Sequence, residues 1–69
     1  MKVKEIPEEA VLVQDSQDRL ALLEAVGKRE LMDEYPTLFA LVGDGEILRV
    51  WGCRSFVPYL KAPVEEVYP

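Results

Sequence analysis

The side chains able to do chemistry are few. The chain has one cysteine, Cys53, and no histidine. Cys53 stands between Gly52 and Arg54, so a neighbouring positive charge is available to favour its thiolate. It has no second cysteine to resolve a mixed disulfide and no imidazole to act as base. The plainer reading, a small half-buried residue at a strand end, therefore leads, with a thiol-dependent protein centred on Cys53 as the alternative. No serine nucleophile has a histidine partner, and a Cys/His zinc site cannot be assembled. Adjacent carboxylates occur as Glu8-Glu9, Asp33-Glu34 and Glu65-Glu66. Neighbours on a helix point about 100° apart, so adjacency alone builds no metal or acid–base site. No phosphate-cradling glycine loop is present. These residues give no catalytic, cofactor or metal site, and a non-catalytic role is expected.

Basic groups interleaved with aromatics are a second kind of chemistry. Lys2, Lys4, Arg49, Arg54 and Lys61 accompany Trp51, Phe56 and Tyr59, a mixture that suits a single-stranded nucleic-acid groove. The formal net charge of −5 and pI near 4.6 argue against it, because phosphate binding is driven by excess positive charge. Weak nucleic-acid binding is kept only as a further alternative. The same charge disfavours an anionic membrane surface. No apolar run approaches the ~20 residues that span a bilayer, and the start, MKVKEIPEEA, lacks the apolar core of a signal peptide. A cytoplasmic location is expected.

A chain of 69 residues implies one small domain, whose core supplies little net stability. With disulfide and zinc excluded, contact with another subunit is the remaining common staple. Asn and His are absent and charged residues make up 30%, a composition in keeping with a hot host.

The elements that must position these residues follow from pattern. AVLVQ, 10–14, is β-branched and apolar, and reads as a short strand. Asp15 or Ser16 caps a helix over about 16–26, with Leu20, Leu22, Leu23 and Val26 on one side and Gly27 just past its end. KRELMDEY follows as a short helical turn stopped by Pro36. Then comes TLFALVGDGEILRVWG, two apolar strands (37–42 and 46–52) around Asp44-Gly45, the pair favoured in a type I′ turn. A two-residue turn sets Leu41 opposite Leu48, Phe39 opposite Val50 and Leu38 opposite Trp51. The helix is expected to pack on Phe39, Leu41, Leu48 and Val50. Pro58, Pro63 and Pro69 exclude a central strand from the C-terminal tail, which reads as extended or briefly helical, with one helical turn opening at Pro63. Whether residues 2–6 form a strand is left open. The fold class is α+β: a small, mostly antiparallel sheet with a central hairpin, one main helix and a proline-containing tail.

Both faces of the hairpin are apolar, and one helix covers one face. The other needs the tail or a second molecule. Arg49 on it marks a partly wet surface, and Trp and Arg dominate many binding sites. The expected function is a small interaction domain acting as adaptor, regulator or subunit. Its partner is a second copy, giving a homodimer, or another protein. Trp51, Arg49, Leu38, Phe56 and Tyr59 are the expected contact residues.

The stretch EYPTLFALVGDGEILRVWG resembles the C-terminal half of a thioredoxin-like fold, through Pro36-Thr37, Gly45-Glu46 and Gly52. The resemblance covers roughly a quarter of the chain and implies a cis Pro36. The Cys-x-x-Cys pair of that family is absent, so the resemblance implies a protein without its redox activity.

Overall fold

The computed structural model describes residues 6–56 and 63–69. Strand β1 (Val11–Val13) leads into helix α1 (Ser16–Ala25), then a single 3₁₀ turn (Arg29–Leu31). Strands β2 (Thr37–Gly43), β3 (Glu46–Cys53) and β4 (Val64–Tyr68) complete the order. The sheet runs β1-β2-β3-β4 and every pairing is antiparallel. The α+β class expected from the sequence is what forms.

The hairpin turns where the sequence places it. Asp44 and Gly45 both take positive φ, 55° and 77°, as a type I′ turn demands. Its register differs from the expected one. Val42 pairs with Ile47 as a two-residue turn dictates, but Leu41 then pairs with Arg49, Phe39 with Trp51 and Leu38 with Gly52. A bulge between Leu41 and Val42 leaves Leu48 without an opposite number. One extra residue moves every later side chain of β3 to the other face. Paired residues share a face. The helix-side face therefore carries Val13, Leu38, Ala40, Val50 and Gly52. The far face carries Leu12, Thr37, Phe39, Arg49, Trp51 and Cys53.

This slip corrects the expected core. Phe39, Leu41 and Leu48 do not form the floor beneath α1. The buried cluster is Leu23, Tyr35, Leu38 and Val50, with Val13, Leu22, Ile47 and Val67 among the partly buried side chains around it. Leu23, Leu38 and Val50 are each wholly enclosed. Together they contribute roughly 5–9 kcal/mol of burial before ordering entropy is subtracted.

Helix α1 is held at both ends and from the side. The Asp15 carboxylate accepts from the backbone N–H groups of Gln17 and Asp18 at 3.0 and 3.2 Å, satisfying two of the orphan donors of a first turn. Gly27, at φ 73°, lets the chain reverse, and the Lys28 N–H closes back on the Leu23 carbonyl at 2.8 Å. From the first turn, Arg19 reaches across to three carbonyls. Its Nε donates to Gln14 (3.2 Å), and one terminal nitrogen donates to Met32 (3.1 Å) and Tyr35 (2.9 Å). One guanidinium thus ties the end of β1, the helix and the 3₁₀ segment together.

The C-terminal tail is corrected as well. Pro63 opens no helical turn; Val64–Tyr68 form β4, paired with β3. Valine and tyrosine favour a strand, and the two prolines stand outside it, at 63 and 69, where no ladder hydrogen bond is lost. Pro36 is not a cis residue: among the described residues the one cis peptide is Tyr68–Pro69. The cis Pro36 implied by the thioredoxin-like resemblance is therefore absent.

Candidate functional site

On the helix-side face, the ring of Tyr35 lies against the Gly52 backbone. A Cβ built on Gly52 would stand 2.5 Å from Tyr35 Cδ1. Beyond the ring, the Tyr35 hydroxyl donates to Glu65 Oε1 on β4. Arg54 covers the group, its guanidinium 4.9 Å from the Tyr35 ring centroid and paired with Glu34 at 3.2 Å and Glu65 at 3.5 Å. Burial, then the bond to the Glu65 carboxylate, raises the Tyr35 hydroxyl above its ordinary pKa. The same bond, first among its causes, lowers Glu65. Arg54 is raised, chiefly by its bond to Glu65. Hydroxyl, carboxylates and guanidinium satisfy one another. The cluster clasps β4 and the segment after the 3₁₀ turn to the sheet.

Arg54 therefore engages Tyr35, Glu34 and Glu65, whereas Cys53 is fully buried on the far face. The two adjacent residues do not form the exposed thiolate site that a thiol-dependent reading requires. Arg49 and Arg54 also fail to gather into one basic strip. Arg49 pairs with Glu66 on the far face at 3.3 Å, and Arg54 sits over Tyr35. Among the described residues, no group of three or more Cys, Asp or Glu is placed to hold a metal ion.

The expected contact residues separate. Leu38 is in the core at 0% exposure, and Trp51, on the far face, is 2% exposed within one chain. Arg49 is exposed beside its partner Glu66. Phe56 is 61% exposed, and its carbonyl accepts from Gln14 Nε2 at 2.7 Å, the same nitrogen that donates to the buried Thr37 hydroxyl at 3.0 Å. Tyr59 lies outside the described residues, as do Lys2, Lys4 and Lys61.

The far face is closed at one end and open at the other. Thr37, Trp51 and Cys53 are buried. Toward the hairpin turn and β1, Leu12 (43%), Leu48 (46%) and Arg49 are exposed. Around the same corner, Val11 (54%) and Val42 (52%) are open on the helix-side face. Among the described residues, four of the five exposed large apolar side chains thus belong to β1 or to the turn end of the hairpin. Reasoning from the sequence missed this corner and assigned the open surface to Trp51. The available signal was β1 itself, an apolar run with no polar face.

Fold and surface together define a small α+β domain: among the described residues, a four-stranded antiparallel sheet with one helix on one face and exposed apolar side chains around β1. No protein-family model matches the chain, and no curated protein matches it. Among solved structures, the crystal structure of TTMA177, a hypothetical protein from Thermus thermophilus phage TMA, is similar at 39% identity and a TM-score of 0.74. The match covers 97% of this chain and 99% of that one. The chain belongs to the family of TTMA177.

Proposed function

We propose that this protein is a non-catalytic interaction domain whose contact surface is the apolar corner formed by Val11, Leu12, Val42 and Leu48. The observation that carries the proposal is the concentration of exposed apolar side chains at that corner. Exposed apolar side chains concentrated in one region mark interaction sites more often than scattered single residues do, and here they flank one end of the sheet, Val11 and Val42 on one face and Leu12 and Leu48 on the other. The homodimer expected from the sequence leaned on an uncovered Trp51. With Trp51 enclosed by its own chain, that motive is gone. The partner is another protein, and the domain serves as an adaptor, regulator or subunit.

The test compares the wild-type chain with a Leu12→Asp, Leu48→Asp variant in capture from the native host, with circular dichroism confirming that both fold. A protein retained by the wild type and lost by the variant supports the reading; a partner retained equally by both overturns it. Sedimentation at micromolar concentration should show a monomer. A dimer that the same substitutions dissociate would instead give the corner to a second copy.

We also propose a high working temperature. The kinship with a Thermus thermophilus phage protein supports it, as does a chain without Asn or His. Thermal unfolding well above the roughly 45–65 °C range of mesophile domains is expected; a midpoint inside that range overturns it.

A further inference from the structure

We infer that β1 is a docking edge for an extended segment of another protein, one whose apolar residues are flanked by lysine or arginine. The inference rests on the interaction reading above and adds the partner's shape and charge. The shape follows from the two edges of the sheet. Sheet edges offer unpaired backbone groups, and proteins usually blunt them with charge or proline. The β4 edge is blunted in this way: Glu65 and Glu66 lie within it, and Pro63 and Pro69 bracket it. β1 is Val-Leu-Val, without charge or proline, and among the described residues only β2 pairs with it. Its side chains stay open on both faces, Val11 on one and Leu12 on the other. An added strand would extend the ladder and cover both, the mode in which a sheet takes up an extended peptide.

The charge of the partner follows from what brackets β1. Glu8 and Glu9 lie in the turn before it, closed by the Ala10 N–H to Pro7 carbonyl bond at 3.0 Å. Asp15 and Asp18 follow it, at the start of α1. All four are exposed, and none forms an ion pair among the described residues. Arg19, the cation next to Asp18, is spent on the carbonyls of Gln14, Met32 and Tyr35. Among the described residues, both ends of a short apolar edge thus carry exposed carboxylates. A second copy fits poorly: antiparallel pairing about Leu12 sets Glu9 of one copy opposite Asp15 of the other, between chains of net charge −5 each. A basic-flanked strand meets opposite charge at both ends, which sets register and suppresses wrong partners.

The test uses two fluorescein-labelled peptides with the same alternating Val/Thr core, one ending in lysines and one in glutamates. Each is titrated with the full chain by fluorescence anisotropy, at low and high salt. The lysine-ended peptide should bind about tenfold tighter or better, and the preference should shrink as salt screens it. Glu8→Lys, Glu9→Lys should erase or reverse the preference. In amide NMR spectra the bound peptide should shift Val11, Leu12 and Val13. Equal binding of both peptides with shifts at β1 would overturn the charge assignment and leave the corner as the contact surface. Binding of neither peptide, or shifts confined to other strands, would overturn the docking edge; the capture experiment then judges the interaction reading separately.

Discussion

Tyr35 and Gly52 are a matched pair. The tyrosine ring occupies the space where any side chain at position 52 would go, with three ring carbons between 2.5 and 2.9 Å from an added Cβ. These are ring atoms of a buried residue, so they have little room to give. Gly52→Ala is expected to cost about 1–3 kcal/mol through overpacking, read as a lower denaturant midpoint at unchanged slope. Tyr35→Ala removes the obstruction but also the core ring. In the double variant the alanine at 52 should cost clearly less than it does beside tyrosine. Additive losses would show that the two positions do not compete for the same space.

Arg19 is the second joint. Its guanidinium satisfies three carbonyls from three parts of the chain. Arg19→Met keeps much of the stem but no donor, leaving part-buried acceptors unmet. A loss of about 2 kcal/mol is expected, measured by urea unfolding. Arg19→Lys should recover only part of it, because an ammonium lacks the planar fork. Full recovery by lysine would mean that charge, and not geometry, is what the segment needs.

The Tyr35–Glu65–Arg54 cluster predicts how stability depends on pH. Glu65 is lowered by the bond from Tyr35, so its contribution is present above the ordinary value of 4.5 and is lost as pH falls through its lower folded value. Tyr35 is raised, so its contribution is present below 10.0 and is lost as pH rises through its higher folded value. Unfolding free energy should stay level between these limits and fall on both sides. Glu65→Gln should flatten the acid limb. An acid limb unchanged in that variant would assign the loss to other carboxylates.

Leu12 separates folding from the proposed contact. It is 43% exposed on an edge strand, so Leu12→Lys should change stability by no more than about 0.5 kcal/mol. The same substitution should abolish binding at the β1 corner. A loss several times larger than that would mean Leu12 is needed by the fold itself, and the corner would lose its standing as a contact surface.

Much of this architecture is legible in the residues. Asp15, Gly27 and Asp44-Gly45 are local signals, each sufficient for its cap or turn. The errors lie where local signals are silent. No residue type announces the bulge that strands Leu48, yet that one residue exchanges the two faces of β3 and moves Trp51 away from the expected opening. The strand Val64–Tyr68 was hidden by its two glutamates, which read as surface charge until Glu65 meets Tyr35 and Glu66 meets Arg49. Tyr35 reads, with Leu31 and Met32, as an apolar side chain of the short helical turn, but nothing at Glu34 or Pro36 points its ring toward Gly52. Long-range pairs of this kind depend on topology, which spacing alone does not encode.

Trp51 is enclosed by its own chain, which leaves the proposed contact to the surface at β1. Trp51 is the sole tryptophan, so acrylamide quenching of its fluorescence reads that enclosure directly. Quenching should be weak and identical from about 1 to about 100 µM protein, because shielding within one chain does not follow mass action. Strong quenching in dilute solution that fades as concentration rises would show instead that a second molecule covers Trp51.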